Sequence, residues 1–172
     1  ATGGDSALGG DDFDREIARY LTTELGITDS TARQRRRLLG IARDAKQALS
    51  ESSEVEIDGS GLGSDVPKTS LTRDTLEALI EPYIERTLLA CRQALQDAGV
   101  DSVDRVVLVG GSTRTPAVAQ AVDACFGQTP LCTLDPDQVV AMGAAKQADI
   151  LIGNRSDLDR KINYRKCSQH WI

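Results

Sequence analysis

Apolar residues recur every four positions along several stretches of the chain, alternate along one and run unbroken along another. Phe13, Ile17, Leu21 and Leu25 share one face of a helix that Gly26 stops. Leu38, Ala42, Ala45 and Leu49 mark the buried face of a second helix, from about Thr31 to the polar run 50–53. In "SEVEID", Val55 and Ile57 alternate with acids, the pattern of a half-exposed strand. Its hairpin partner is expected near 66–71, past the flexible turn 59–64, although Pro67 sits badly inside a strand. Thr72 is placed to cap a long helical region carrying Leu76, Leu79, Ile80, Ile84, Leu88, Cys91 and Leu95, ended by Gly99. Pro82 should kink or split that helix, and a boundary between two lobes belongs in this region.

The last third has a different character. "RVVLV", 105–109, reads as a short strand covered on both faces. A helix should then start at Pro116, with Thr115 as its N-cap, and end at Gly127. Asp135, Pro136 and Gln138 give a second start, as cap, first helical residue and closing partner of a capping box. That helix runs through Val140, Gly143, Ala144 and Gln147 to Ile152, and its small residues suit close packing on a sheet. From 154 to 172 the chain is polar and has no period.

Composition narrows the class. At 172 residues the chain is long enough to bury a core as one domain or two small lobes. Its aromatic share of 3% makes that core aliphatic. The net charge of −6 argues against a general nucleic-acid or membrane-surface role. Arg33, Arg35, Arg36 and Arg37 run the other way, but beside a strong helical pattern they read as a solvated helix face. Cys91, Cys125, Cys132 and Cys167 stand far apart without a CxxC pair, which fits free thiols in a reducing compartment. Cys91 falls on an apolar stripe and reads as a small core residue, and Cys167 with His170 is one pair without further ligands. No apolar run approaches the roughly 18 residues of a membrane span, and no signal peptide pattern is present, so a soluble, cytoplasmic protein is expected.

The chemistry concentrates in "VVLVGGSTRTP", 106–116. Gly110 and Gly111 remove the Cβ where a strand runs toward a helix start, so a phosphate or sugar could approach the backbone. Amides at a helix entrance carry partial positive charge. Ser112 and Thr113 add hydroxyls, and Arg114 adds a planar cation able to stack on a base or pair with a phosphate. A tight turn and a nucleotide cradle both fit these residues. Neither the GxGxxG fingerprint nor the P-loop pattern is present.

That stretch, followed by "FGQTPLCTLDPDQVVAMGAAKQADILIG", resembles the C-terminal part of the nucleotide-binding domain of DnaK-type heat-shock chaperones. "ATGGDSALGGDDFD" resembles their glycine-rich turn into the upper lobe, "AKQALS" their adenosine-contacting helix and "RTLLACRQALQDAGV" their crossover helix. Two of these motifs are most similar to the branch that serves iron–sulfur cluster assembly. The resemblance covers about 1–154 and implies an α/β fold of the actin and sugar-kinase type, in part. Residues 1–86 would be the helical and antiparallel-sheet upper lobe, 87–154 the C-terminal part of the lower lobe, and 155–172 a tail foreign to the family.

The resemblance also implies roles. Gly110 and Gly111, with Ser112 beside them, would lie against the ribose and α-phosphate of ATP or ADP. Arg114 would stack over the adenine and Asp137 would lie near the base. Lys46 and Ser50 would hold ribose and adenine from the other lobe. Arg43 and Gln47 fill two more positions of that helix, where the family typically has an acid and, often, a basic residue. The phosphate-binding hairpin, its lysine and the second phosphate loop have no counterpart in this sequence. The resemblance thus implies a fragment with no turnover alone, Mg2+ belonging to the full-length parent. A J-domain co-chaperone and an iron–sulfur scaffold protein would be partners of that parent. An incomplete lower-lobe sheet would leave an exposed edge. The alternative reading is a non-catalytic module on which partners of the chaperone dock.

Overall fold

The computed structural model describes residues 1–28, 30–63, 66–131 and 138–152. Helices α1 (Gly10–Glu24) and α2 (Ala32–Ala48) come first, then strands β1 (Glu54–Ile57) and β2 (Thr69–Thr72). Helices α3 (Arg73–Ala98), α4 (Pro116–Phe126) and α5 (Val139–Leu151) complete the order. Short 3-10 turns occupy Gly59–Gly61 and Gly111–Arg114.

The four-residue periods put the core between α1, α2, α3 and the hairpin. Ile17 and Leu21 of α1, Leu38 and Leu49 of the α2 region, Leu71 of β2, and Leu76 and Ile80 of α3 are fully buried. Each such side chain contributes about 1.5–3 kcal/mol, so this aliphatic cluster dominates the stability. Local chemistry sets the helix starts. Thr31 accepts a hydrogen bond from the Gln34 amide at 3.2 Å, and the Gln34 carboxamide accepts from the Thr31 amide at 2.8 Å. The same Gln34 side chain donates to the Leu62 carbonyl at 2.6 Å, tying α2 to the hairpin turn. Thr31→Ala is expected to cost about 1 kcal/mol, a melting-temperature drop of roughly 2–4 °C by thermal denaturation. An unchanged melting point would mean that this cap is idle.

Strands β1 and β2 pair antiparallel, with Val55 opposite Leu71 and Ile57 opposite Thr69. Pairing starts at Thr69 rather than near 66, because Pro67 has no N–H to give to a ladder. Arg73 then donates to the carbonyls of Leu49 and Ser52 at 2.9 and 2.8 Å, satisfying acceptors left open past the end of α2.

Of the two outcomes expected at Pro82, a kink or a split, the split does not occur: α3 continues through Pro82 for 26 residues. One lost hydrogen bond is outweighed because Leu76, Ile80, Ile84 and Leu88 seat both halves in the same core. Tyr83 donates to Glu16 at 2.5 Å across α1 and α3, and that bond raises the phenol's pKa. Arg86 reaches Asp5 at 2.5 Å. The Ala7 amide first, and Arg86 second, hold the Asp5 carboxyl below its ordinary pKa. This tether is therefore intact at neutral pH and is lost only as pH falls through that lowered value.

The stretch 105–109 corrects an expectation. Among the described residues it forms one parallel bridge, Val107 to Leu131, and Val107 and Val109 are exposed rather than covered. A strand needs a neighbour along its length, and among the described residues Leu131 supplies the one seen, through bonds to Val106 and Leu108. Helix α4 matches its expected start at Pro116 and its stop at Gly127. Among the described residues helix α5 meets no sheet: Ile150 is buried, while Val140, Met142, Leu151 and Ile152 are exposed. Asp135 and Pro136, expected as its cap and first helical residue, lie outside the described residues.

Cys91 is half-buried rather than a full core residue. Burial pushes its thiol pKa up, and neighbouring Cys125 adds to the effect. Its alkylation at pH 8, followed by mass spectrometry, is expected to be at least roughly threefold slower than in the urea-unfolded chain. Equal rates would show that the folded protein does not shelter it.

Candidate functional site

The glycine turn joins a glycine of positive φ to a short 3-10 turn. Gly110 has φ +91° and ψ 154°, a conformation that side chains with a Cβ rarely adopt. The following 3-10 turn closes on itself: the Thr113 amide and hydroxyl both donate to the Gly110 carbonyl, at 3.1 and 2.6 Å. The Thr115 amide donates to Ser112 at 3.2 Å. The amides of Gly111 and Ser112 find no acceptor among the described residues, so they are available to a ligand. Arg114 ends the turn in an exposed position.

Folding brings this turn against the start of α1 and the last turns of α2. A Cβ added at Gly10 would come within 2.8 Å of the Ser112 hydroxyl and 3.2 Å of the Lys46 ammonium. Three segments distant in sequence therefore meet at Gly10. Lys46 donates to the Gly10 carbonyl at 2.9 Å and lies 5.9 Å from the centroid of the Phe13 ring. Its Nζ also stands 2.6 Å from Oδ1 of Asp14, whose side chain is only 4% exposed. That approach is a close ion pair off the line of a hydrogen bond, since this oxygen has no hydrogen-bond partner.

Arg43 completes the network. Its Nε donates to Asp14 and one terminal nitrogen to Asp11, both at 3.2 Å. Asp14, with Asp11 behind it, holds the guanidinium above its ordinary pKa. Arg43 is thus tied to the acids of α1. Ser50 sits half-buried just past α2, its hydroxyl 3.4 Å from the Lys46 carbonyl, and Gln47 is exposed beside them. The structure brings together Lys46, Arg43 and Ser112, with Gly110 and Gly111 adjacent in the turn. Asp137 lies outside the described residues.

Asp14, Asp11 and Gly10 were missed by sequence reasoning. A signal existed for Asp14: it stands beside Phe13 and four residues before Ala18, both buried, and a carboxylate placed there needs a cation. Among the described residues no group of His, Cys, Asp and Glu is arranged to hold a metal ion. Among them, too, no helix is long and apolar enough to cross a membrane.

A helical lobe with an antiparallel hairpin, joined by α3 to a glycine turn that meets it, is the arrangement expected of an actin-like ATPase fold in part. The model of the Hsp70 protein family matches residues 1–163, and the chain belongs to that family. It is 53% identical over 161 residues to the chaperone protein HscA homolog of Vibrio cholerae serotype O1 (strain ATCC 39315 / El Tor Inaba N16961), covering 92% of this chain and 25% of that protein. The chaperone protein HscA of Cronobacter sakazakii is 51% identical over 160 residues, and that of Salmonella paratyphi B 52% over 160; each match covers 91% of this chain and 25% of the relative. The chain thus spans about a quarter of the length of the curated relatives it matches.

Proposed function

We propose that this chain carries the adenosine-holding wall of the ATP/ADP site of an HscA-like chaperone. The observation that carries the reading is the meeting of Ser112, Lys46 and Gly10, three segments that share no local reason to touch. The donor set fits such a ligand. Lys46 and the hydroxyls of Ser50 and Ser112 suit ribose and phosphate oxygens, and the free amides behind Gly110 suit an α-phosphate. Arg114 is placed to stack on a base, and Asp137 is assigned near it on the family resemblance. Arg43 and Gln47 line the rim, and Arg43 acts there through Asp14 and Asp11.

Bound nucleotide would supply the energy source of the chaperone cycle. Phosphoryl transfer needs Mg2+ and cations around the γ-phosphate. None of the residues gathered here serves that end, so no steady turnover is expected from this chain alone. In the whole protein the work is the folding or maturation of iron–sulfur proteins in the cytoplasm, with a J-domain co-chaperone and a scaffold protein as partners. In this reading 1–86 belong to the upper lobe and 87–154 to the C-terminal part of the lower lobe.

Isothermal titration with ADP tests the reading. Micromolar binding that weakens on Lys46→Ala is expected. Absence of binding would overturn it in favour of a partner-docking module.

A further inference from the structure

Helix α3 carries Glu77, Glu81 and Glu85 one turn apart, on the side facing α4. They edge an open groove of about 450 Å³ whose apolar lining includes Ile84 and Leu88 of α3 and Ala121 of α4. Like charges four residues apart on a helix repel. None of the three forms an ion pair with a described residue. The nearby cation of Arg86 is engaged with Asp5 instead. Ala78 lines the same groove, and Pro82, four residues on, has no N–H to give to the Ala78 carbonyl. The groove therefore combines an apolar floor, a wholly negative rim and a main-chain acceptor that its own helix leaves open.

We propose that this groove is the docking site of a basic amphipathic helix from a partner protein. Leucine-like side chains on one face of that helix would enter between Ile84, Leu88 and Ala121. Lysines or arginines flanking that face would pair with Glu77, Glu81 and Glu85. Charge complementarity selects this occupant, because an acidic or neutral helix would leave three carboxylates facing apolar surface. A second copy of this chain fits poorly. Its arginine-rich helix is α2, whose apolar residues Leu38, Ala42 and Ala45 are already buried in its own core.

The test is fluorescence anisotropy on the whole chain with a labelled peptide of leucine and lysine at helical spacing. The control is its scrambled isomer, of equal charge but without an apolar face. The amphipathic peptide is expected to bind saturably, at least tenfold tighter than the scrambled one, and to be weakened tenfold or more by Glu77→Gln/Glu81→Gln/Glu85→Gln. Raising salt to about 0.5 M should weaken it similarly, since charges at an open rim are screened. Ala121→Trp, which fills the groove and leaves the carboxylates in place, should block binding independently. Equal binding of the two peptides, or no loss in either variant, would overturn the proposal. So would a dimer of the chain that dissolves in the triple variant, which would make a second copy the occupant.

Discussion

Asp14→Asn is expected to lower the unfolding free energy by about 3 kcal/mol, because it leaves a sheltered ammonium without its counter-charge. The Lys46 side chain is 13% exposed and the Asp14 side chain 4%, so water does little to replace the lost partner. For a chain of this size the melting temperature should fall by roughly 6–12 °C. Arg43→Ala should behave differently although it touches the same carboxylate. Its side chain is 58% exposed, and solvent screens so open an ion pair, so only a small shift is expected. Thermal and urea unfolding of the two variants side by side give the comparison. A shift below about 2 °C for Asp14→Asn would show that the pair does not form in solution, and the wall around Gly10 would lose its anchor.

The asymmetry between these residues explains how the site is held. Lys46 reaches back to α1, where Asp14 fixes its charge and the Gly10 carbonyl fixes its direction. Arg43, one turn earlier, spends its donors on Asp11 and Asp14. An arginine where the family typically has an acid is therefore accommodated, since α1 supplies the carboxylates that pair with it.

Much of the fold was legible because helices announce themselves by period. The stripe Phe13, Ile17, Leu21 and the stripe Leu76, Ile80, Ile84, Leu88 were both readable and both buried. The misreadings share a cause: local sequence does not say what lies alongside. The run 105–109 has the composition of a central strand, yet Val107 and Val109 are exposed and, among the described residues, Leu131 alone pairs with it. Pro82 left a kink and a split both open, and the packing on either side, which decides against the split, is not written in the local sequence. At the site, the glycine turn and the Lys46–Ser50 helix could be picked out by residue type and family resemblance. The partnership of Lys46 with Asp14 lies 32 positions away in sequence and is made by helix packing, which no motif encodes.

Gly10→Ala separates the site from the scaffold. Gly10 opens α1 as a helical residue with no positive φ, so alanine meets no backbone strain and is the better helix former. The new methyl would nonetheless fall 2.8 Å from the Ser112 hydroxyl and 3.2 Å from the Lys46 ammonium. The Ser112 hydroxyl can swing aside, and the Lys46 ammonium need give only a few tenths of an ångström, which keeps its pair with Asp14, so the fold can yield at little cost. The melting temperature is expected to stay within about 2 °C of the parent. ADP affinity is expected to fall tenfold or more, about 1.4 kcal/mol, because the displaced groups are those assigned to the ribose and phosphate. Paired titration calorimetry and thermal denaturation measure both halves. Unchanged ADP binding at an unchanged melting point would mean that the nucleotide does not sit where the turn, α1 and α2 converge. A large loss of stability would mean that Ser112 and Lys46 are locked as part of the core rather than poised at a cleft.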